Sequence, residues 1–144
     1  MYSSSKRYLR HNWTPGEIHK VYSLALPDLL FRSQSVHRHY HDPQKVQLCT
    51  LLSIKTGGCP EDCAYCPQSA HYNSGLTSQQ LLDVDKVMEA ACAAREAGST
   101  RFCMGAAWRE VSDGPQFDRI LEMVRGIRDL DLEVCCTLGM LTAE

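Results

Sequence analysis

Three cysteines fall within eight residues, Cys59, Cys63 and Cys66, in the segment KTGGCPEDCAYCP that runs from Lys55 to Pro67. Three thiolates so close in sequence point to a metal centre rather than to core packing. The spacing C-x3-C-x2-C supplies an odd number of ligands, whereas a structural zinc site closes with four, commonly as two C-x2-C pairs. Cysteine thiolates are the usual ligands of iron–sulfur clusters, and an iron without a protein thiolate keeps a position free for a substrate or cofactor. The pattern therefore reads as reactive chemistry. Gly57 and Gly58 before the first cysteine, with Pro60 and Pro67 around the others, favour an irregular loop able to wrap an inorganic core. The competing reading is a zinc knuckle that takes its fourth ligand from His71 or another cysteine.

The elements around this loop alternate between helix-like and strand-like segments. Thr14, Pro15 and Glu17 form a helix start, and Pro27 opens a second helix carrying Leu29, Leu30, Val36 and Tyr40. Val46–Ile54 is a short apolar run rich in strand formers that leads directly into the cysteine loop. Thr77 and Gln80 read as a capping box for a helix with Leu81, Val84, Met88 and Ala91 on one face, stopped by Gly98. A second strand is expected over Thr100–Gly105. Pro115 then starts a helix with Phe117, Ile120, Leu121, Val124 and Ile127 at the 3.6-residue period, and Leu132–Leu138 forms a third strand. The order βαβαβ implies an α/β fold with a parallel sheet.

The strands carry a second signal in their alternation. Phe102 and Met104 point one way while Arg101, Cys103 and Gly105 point the other; Leu132, Val134, Cys136 and Leu138 oppose Glu133, Cys135 and Thr137. Parallel strands buried on both faces read as continuous apolar runs, so a polar, cysteine-bearing face suggests a lined cavity. With helices on the apolar face, Cys103 and Cys135 look into that cavity from adjacent strands and are placed to share a second metal cluster. Cys136 competes with Cys135, but alternation puts it against the helices. Cys49 shares the side of Gln47 and Ser53, where an inward thiol competes with a small buried packing residue. Cys92 reads as packing, and His37, His39 and His41 read as surface residues.

The stretch Leu51–Gln68, LLSIKTGGCPEDCAYCPQ, resembles the cluster-binding segment of the radical S-adenosylmethionine (SAM) enzymes, and its wording resembles that of the biotin synthases. GSTRFCMGAAW from Gly98 to Trp108 and LEVCCTLG from Leu132 to Gly139 carry the narrower resemblance, which runs from about Trp13 onward. The resemblance implies that Cys59, Cys63 and Cys66 hold a [4Fe–4S] cluster and that Cys103 and Cys135 are two ligands of a [2Fe–2S] cluster. It also implies Tyr65 near the adenine of SAM and Ala106 in the segment lining that pocket. Lys55 would contact the substrate, dethiobiotin, the alternative being an exposed charge beside a strand. The implied reaction is sulfur insertion into dethiobiotin to form biotin, with an electron-donor protein such as flavodoxin or ferredoxin and a homodimeric full-length enzyme. The implied fold is a TIM-type (β/α) barrel of the radical SAM class, of which three strands are present: residues 1–45 form an N-terminal helical extension and residues 46–144 the first part of the barrel. A barrel takes at least about 200 residues, so the expectation is an N-terminal fragment, inactive alone.

Composition sets the outer bounds. The chain has 144 residues, 44% hydrophobic and 22% charged, an ordinary globular composition. A net charge of −2 gives no electrostatic argument for nucleic acid or membrane partners. Eight cysteines would suit a secreted disulfide scaffold, but Met1 is followed by no apolar segment and the cysteines gather in one loop and in strands, so a cytoplasmic location is expected. The start MYSSSKRYLR, Ser-rich and basic, is the competing signal for a mitochondrial leader.

Overall fold

Thr14 opens the first helix, α1 (Pro15–Tyr22), through a reciprocal pair of hydrogen bonds. The Thr14 hydroxyl accepts from the Glu17 amide at 3.3 Å, while the Glu17 carboxylate accepts from the Thr14 amide at 2.9 Å. The computed structural model describes residues 10–141, so nearly all of the leader-like start lies outside the described residues. The chain divides into two compact units, one ending at Val46 and the next beginning at Gln47. In the first unit α1 is followed by α2 (Leu26–Tyr40), with Pro27 in its first turn, where the missing amide costs nothing. Neither helix has a buried residue, and Tyr22, Leu26 and Phe31 are exposed.

The Glu17 carboxyl is held at about 2 rather than 4.5, first by the Thr14 backbone amide and then by the Arg10 guanidinium 2.7 Å away. A lowered carboxyl pKa stabilises the folded form fully above 4.5 and loses that contribution as the pH falls through about 2. The side-chain carboxyl resonance of Glu17 should therefore titrate near 2 in NMR, with α1 fraying at the same midpoint, and Arg10→Ala, which leaves the Thr14 amide in place, should raise the titration part of the way toward 4.5.

In the second unit three parallel strands, β1 (Cys49–Lys55), β2 (Arg101–Ala106) and β3 (Glu133–Thr137), pair in sequential order with β2 in the centre. Two helices, α3 (Val84–Glu96) and α4 (Pro115–Asp129), connect them and pack on each other. Ile54, Phe102, Met104, Leu132 and Leu138 from the sheet and its flanks meet Val87, Ala91, Ile120, Met123 and Ile127 from the helices in one core. The helices thus cover the apolar face that alternation assigned to them.

Two local signals fared differently. Gly98 does stop α3: at φ +90° its amide bonds Arg95 O and the Ser99 amide bonds Ala94 O, a paired C-terminal closure that favours glycine. Thr77, by contrast, caps nothing. The Gln79 and Leu82 amides donate to Thr56 O and Ile54 O, both at 2.8 Å, so residues 77–83 run past the end of β1 and Leu81 is buried there. Tertiary pairing outweighs the local capping preference, and the helix begins seven residues later at Val84. Asp83 precedes it without a side-chain cap bond, because its carboxylate is taken by Arg119 at 2.8 Å.

Candidate metal centre

The cysteine loop is built so that its backbone is satisfied without its sulfurs. The Cys59 amide donates to Gln68 O at 2.9 Å and the Ala70 amide to Cys59 O at 2.7 Å, pairing the two ends of the loop. The Cys66 amide closes a turn on Cys63 O at 2.9 Å, and the buried Ser69 hydroxyl donates to Glu61 O at 2.6 Å. His71, weighed as a fourth zinc ligand, has its Nε2 within 2.9 Å of Pro60 O. Tyr72 donates to the Asp62 carboxylate at 2.6 Å, which pushes the phenol pKa up. All three loop cysteines are half-buried and unbridged. Gly57, at φ +72°, brings the loop entrance against residues 77–78, where an added Cβ would stand 3.1 Å from the Ser78 backbone. Gly57→Ala should lower stability by about 1–3 kcal/mol, read as a smaller urea midpoint at constant slope.

A cleft of about 300 Å³ opens between this loop and the sheet. Cys59 and Cys66 line it on one side, and Leu51, Ser53, Gly105, Ala106 and Thr137 on the other. Tyr65 is 92% exposed, projecting from the loop between Cys63 and Cys66. Two residues deeper along the strands, on the same face, Leu51, Cys103 and Cys135 stand in a row as direct partners across β1, β2 and β3. Burial, then a hydrogen bond to Cys135, pushes the Cys103 thiol pKa up, so a metal bound there must displace a proton. Two residues further down, Arg101 pairs with Glu133 at 2.9 Å, and Gln47 donates to the same carboxylate. Cys49, the register partner of Arg101, is exposed on this face rather than buried as packing. Cys136 is the register partner of Met104 and so belongs to the helix side, but it is exposed rather than covered.

Lys55 sits where the sheet register shifts, so that Ser53 pairs Gly105 and Lys55 pairs Ala106. Such a bulge re-aims a side chain at the end of a strand. Its Nζ donates to Gly57 O at 2.9 Å and to Ala107 O at 3.0 Å. Arg109, three residues beyond Ala106, pairs with the loop carboxylate of Glu61 at 2.6 Å. Sequence reading missed these tethers, and also Gln68, whose side-chain oxygen accepts the Gly57 amide at 2.6 Å.

Among the described residues no three His, Cys, Asp or Glu side chains are arranged to hold a single metal ion. A tetrahedral zinc draws its sulfurs to about 2.3 Å from one centre. A cubane cluster instead takes one thiolate per iron, so its ligands stay apart, and three separate thiols on one loop, with Cys59 and Cys66 lining the cleft, fit that donor set.

No family model matches the chain. Curated relatives do, over nearly its whole length. It is 57% identical over 136 residues to the biotin synthase of Cytophaga hutchinsonii, covering 94% of this chain and 40% of that protein. To the biotin synthase of Sorangium cellulosum it is 61% identical, with 94% and 39% covered. To that of Gloeobacter violaceus it is 64% identical, with 88% and 40% covered. The chain spans about two-fifths of the length of these relatives, and along the residues it has, it belongs by sequence to the biotin synthases.

Proposed function

We propose that this chain carries the SAM-cleaving part of a biotin synthase, in which Cys59, Cys63 and Cys66 hold a [4Fe–4S] cluster over the cleft and Cys103 and Cys135 contribute two ligands to a [2Fe–2S] cluster deeper on the sheet. The observation that carries this reading is a single cleft lined by Cys59 and Cys66 of the loop and by the sheet face that bears Cys103 and Cys135, with Leu51 both lining the cleft and pairing Cys103. When bound, the clusters supply the electron that cleaves SAM and the sulfur inserted into dethiobiotin, chemistry that side chains alone do not perform.

The protein's residues bind and orient. The loop presents three thiols from a backbone already closed by hydrogen bonds, so little order has to be gained on loading. Ala106 and Ala107, small residues at the cleft wall, leave room for a cofactor close to Cys59 and Cys66. Exposed Tyr65 offers a flat ring for stacking on adenine. Arg101, held by Glu133, stands next to Cys103 on the same face of β2 and places a positive charge beside the Cys103 and Cys135 layer. Sequential strand order and helices on a single face support a barrel arc rather than a doubly wound sheet, whose strand order reverses. In this reading the unit from Gln47 onward begins the barrel and residues 1–45 are a helical extension. The full-length enzyme is a cytoplasmic homodimer served by flavodoxin or ferredoxin. No helix among the described residues is long and apolar enough to cross a membrane.

Anaerobic reconstitution of the protein with ferrous iron and sulfide tests the reading. A brown protein with acid-labile sulfide supports it, as does SAM cleavage on reduction by the full-length enzyme. A colourless protein retaining stoichiometric zinc and no sulfide would overturn it.

A further inference from the structure

We infer that Lys55 is a positioning residue of the cysteine loop, a latch that fixes the loop entrance against the end of β2. The Lys55 side chain is half-buried, and its Nζ joins two carbonyls, Gly57 O at 2.9 Å and Ala107 O at 3.0 Å, from segments fifty residues apart in sequence. Gly57 stands two residues before Cys59, and Ala107 lines the same cleft as Cys59 and Cys66. The ammonium therefore ties the sulfur-bearing wall of the cleft to the opposite wall. The bulge at the end of β1 sets this up, since it places Lys55 opposite Ala106, and the Ala107 amide returns a bond to Lys55 O at 2.9 Å. Gly57 O has no comparably short alternative: the Ser78 hydroxyl donates to it at 3.5 Å, the limit of a hydrogen bond. Two of the three ammonium protons are committed to the scaffold, so the main work of Lys55 is to hold the loop rather than to grip the dethiobiotin carboxylate or ureido group. This assignment concerns the site proposed above, but its geometry and its test need neither cluster nor substrate.

Amide hydrogen exchange of the cluster-free protein tests it, with the protected amides of Cys59, Cys66 and Ala70 reporting the loop and that of Met104 reporting the sheet. Lys55→Met should speed exchange at the three loop amides by roughly tenfold or more while Met104 stays within about twofold, since hydrogen bonds from charged groups are stronger than neutral ones. Lys55→Arg, which keeps a cationic fork of donors, should restore most of the loop protection. In the reconstituted full-length enzyme, Lys55→Met should lower kcat for SAM cleavage with dethiobiotin KM little changed. Unaltered loop exchange in Lys55→Met would overturn the inference, as would a raised dethiobiotin KM with an intact loop, which marks a substrate contact. Should Lys55→Met expose Met104 as well, Lys55→Gln is read in its place; parallel loss at loop and sheet in both variants also overturns it. A failure of iron loading in the wild type leaves the exchange result standing and counts against the cluster reading alone.

Discussion

In the full-length enzyme, alanine at Cys59, Cys63 or Cys66 is expected to leave a folded protein that loses the iron of the loop cluster on gel filtration and cleaves SAM at least about 100-fold more slowly than wild type. The scale follows from metal sites in general, where loss of a supporting outer contact already costs about 10–100-fold, so removal of a ligand exceeds it. Folding survives because the loop does not depend on its thiols. Its closing bonds, Cys59 amide to Gln68 O, Ala70 amide to Cys59 O and Cys66 amide to Cys63 O, are all backbone to backbone and persist in an alanine variant. Cys92→Ala, a change in a half-buried cysteine on α3, serves as the control and should keep full iron content. Iron and sulfide analysis, the visible spectrum and SAM cleavage measure the outcome. Undiminished cleavage in any of the three variants would remove the basis for the proposed function.

The parts of the site legible in the sequence are those written in short-range pattern. The two-residue alternation of RFCMG and LEVCCT placed Cys103 and Cys135 on the open face, and the observed register makes them direct cross-strand partners. The 3.6-residue period of Phe117 to Ile127 matched α4, whose Ile120, Met123 and Ile127 are buried. What the sequence concealed is long-range. Nothing in Thr77–Gln80 announces that Gln79 will bond Thr56 and Leu82 will bond Ile54, and only those partners convert a good capping sequence into an extended segment. Lys55, Arg109 and Gln68 were equally opaque, because a lysine that latches a loop and one that dangles in water share the same local sequence. Cys49 and Cys136 show the limit of alternation itself: it assigned each to its face, yet whether a residue on that face is covered depends on what packs above it.

Phe102 and Cys103 are neighbours on β2, and alanine at each should give opposite results. Phe102 is fully buried on the central strand, in the core shared with Val87, Ile120 and Met123. Its truncation removes a large apolar side chain and leaves a cavity that the surrounding sheet and helices only partly fill, a change that costs about 3–5 kcal/mol. Against the 5–15 kcal/mol typical of a whole domain, that loss removes much of the margin. Phe102→Ala should therefore show a large drop in urea midpoint and loss of the cysteine face along with the fold. Cys103 points the other way, half-buried in the open layer beside Cys135. Cys103→Ala removes one sulfur from a surface that is not closed over, and its unfolding free energy should stay within about 1 kcal/mol of wild type. Iron bound in excess of the loop cluster should nevertheless disappear, while the iron held by Cys59, Cys63 and Cys66 remains. Equilibrium urea unfolding of the two variants, paired with iron counting after reconstitution, reads both halves of this contrast. A Cys103→Ala protein as unstable as Phe102→Ala, or one with its full iron content, would show that the two faces of β2 do not divide the labour between core and cluster.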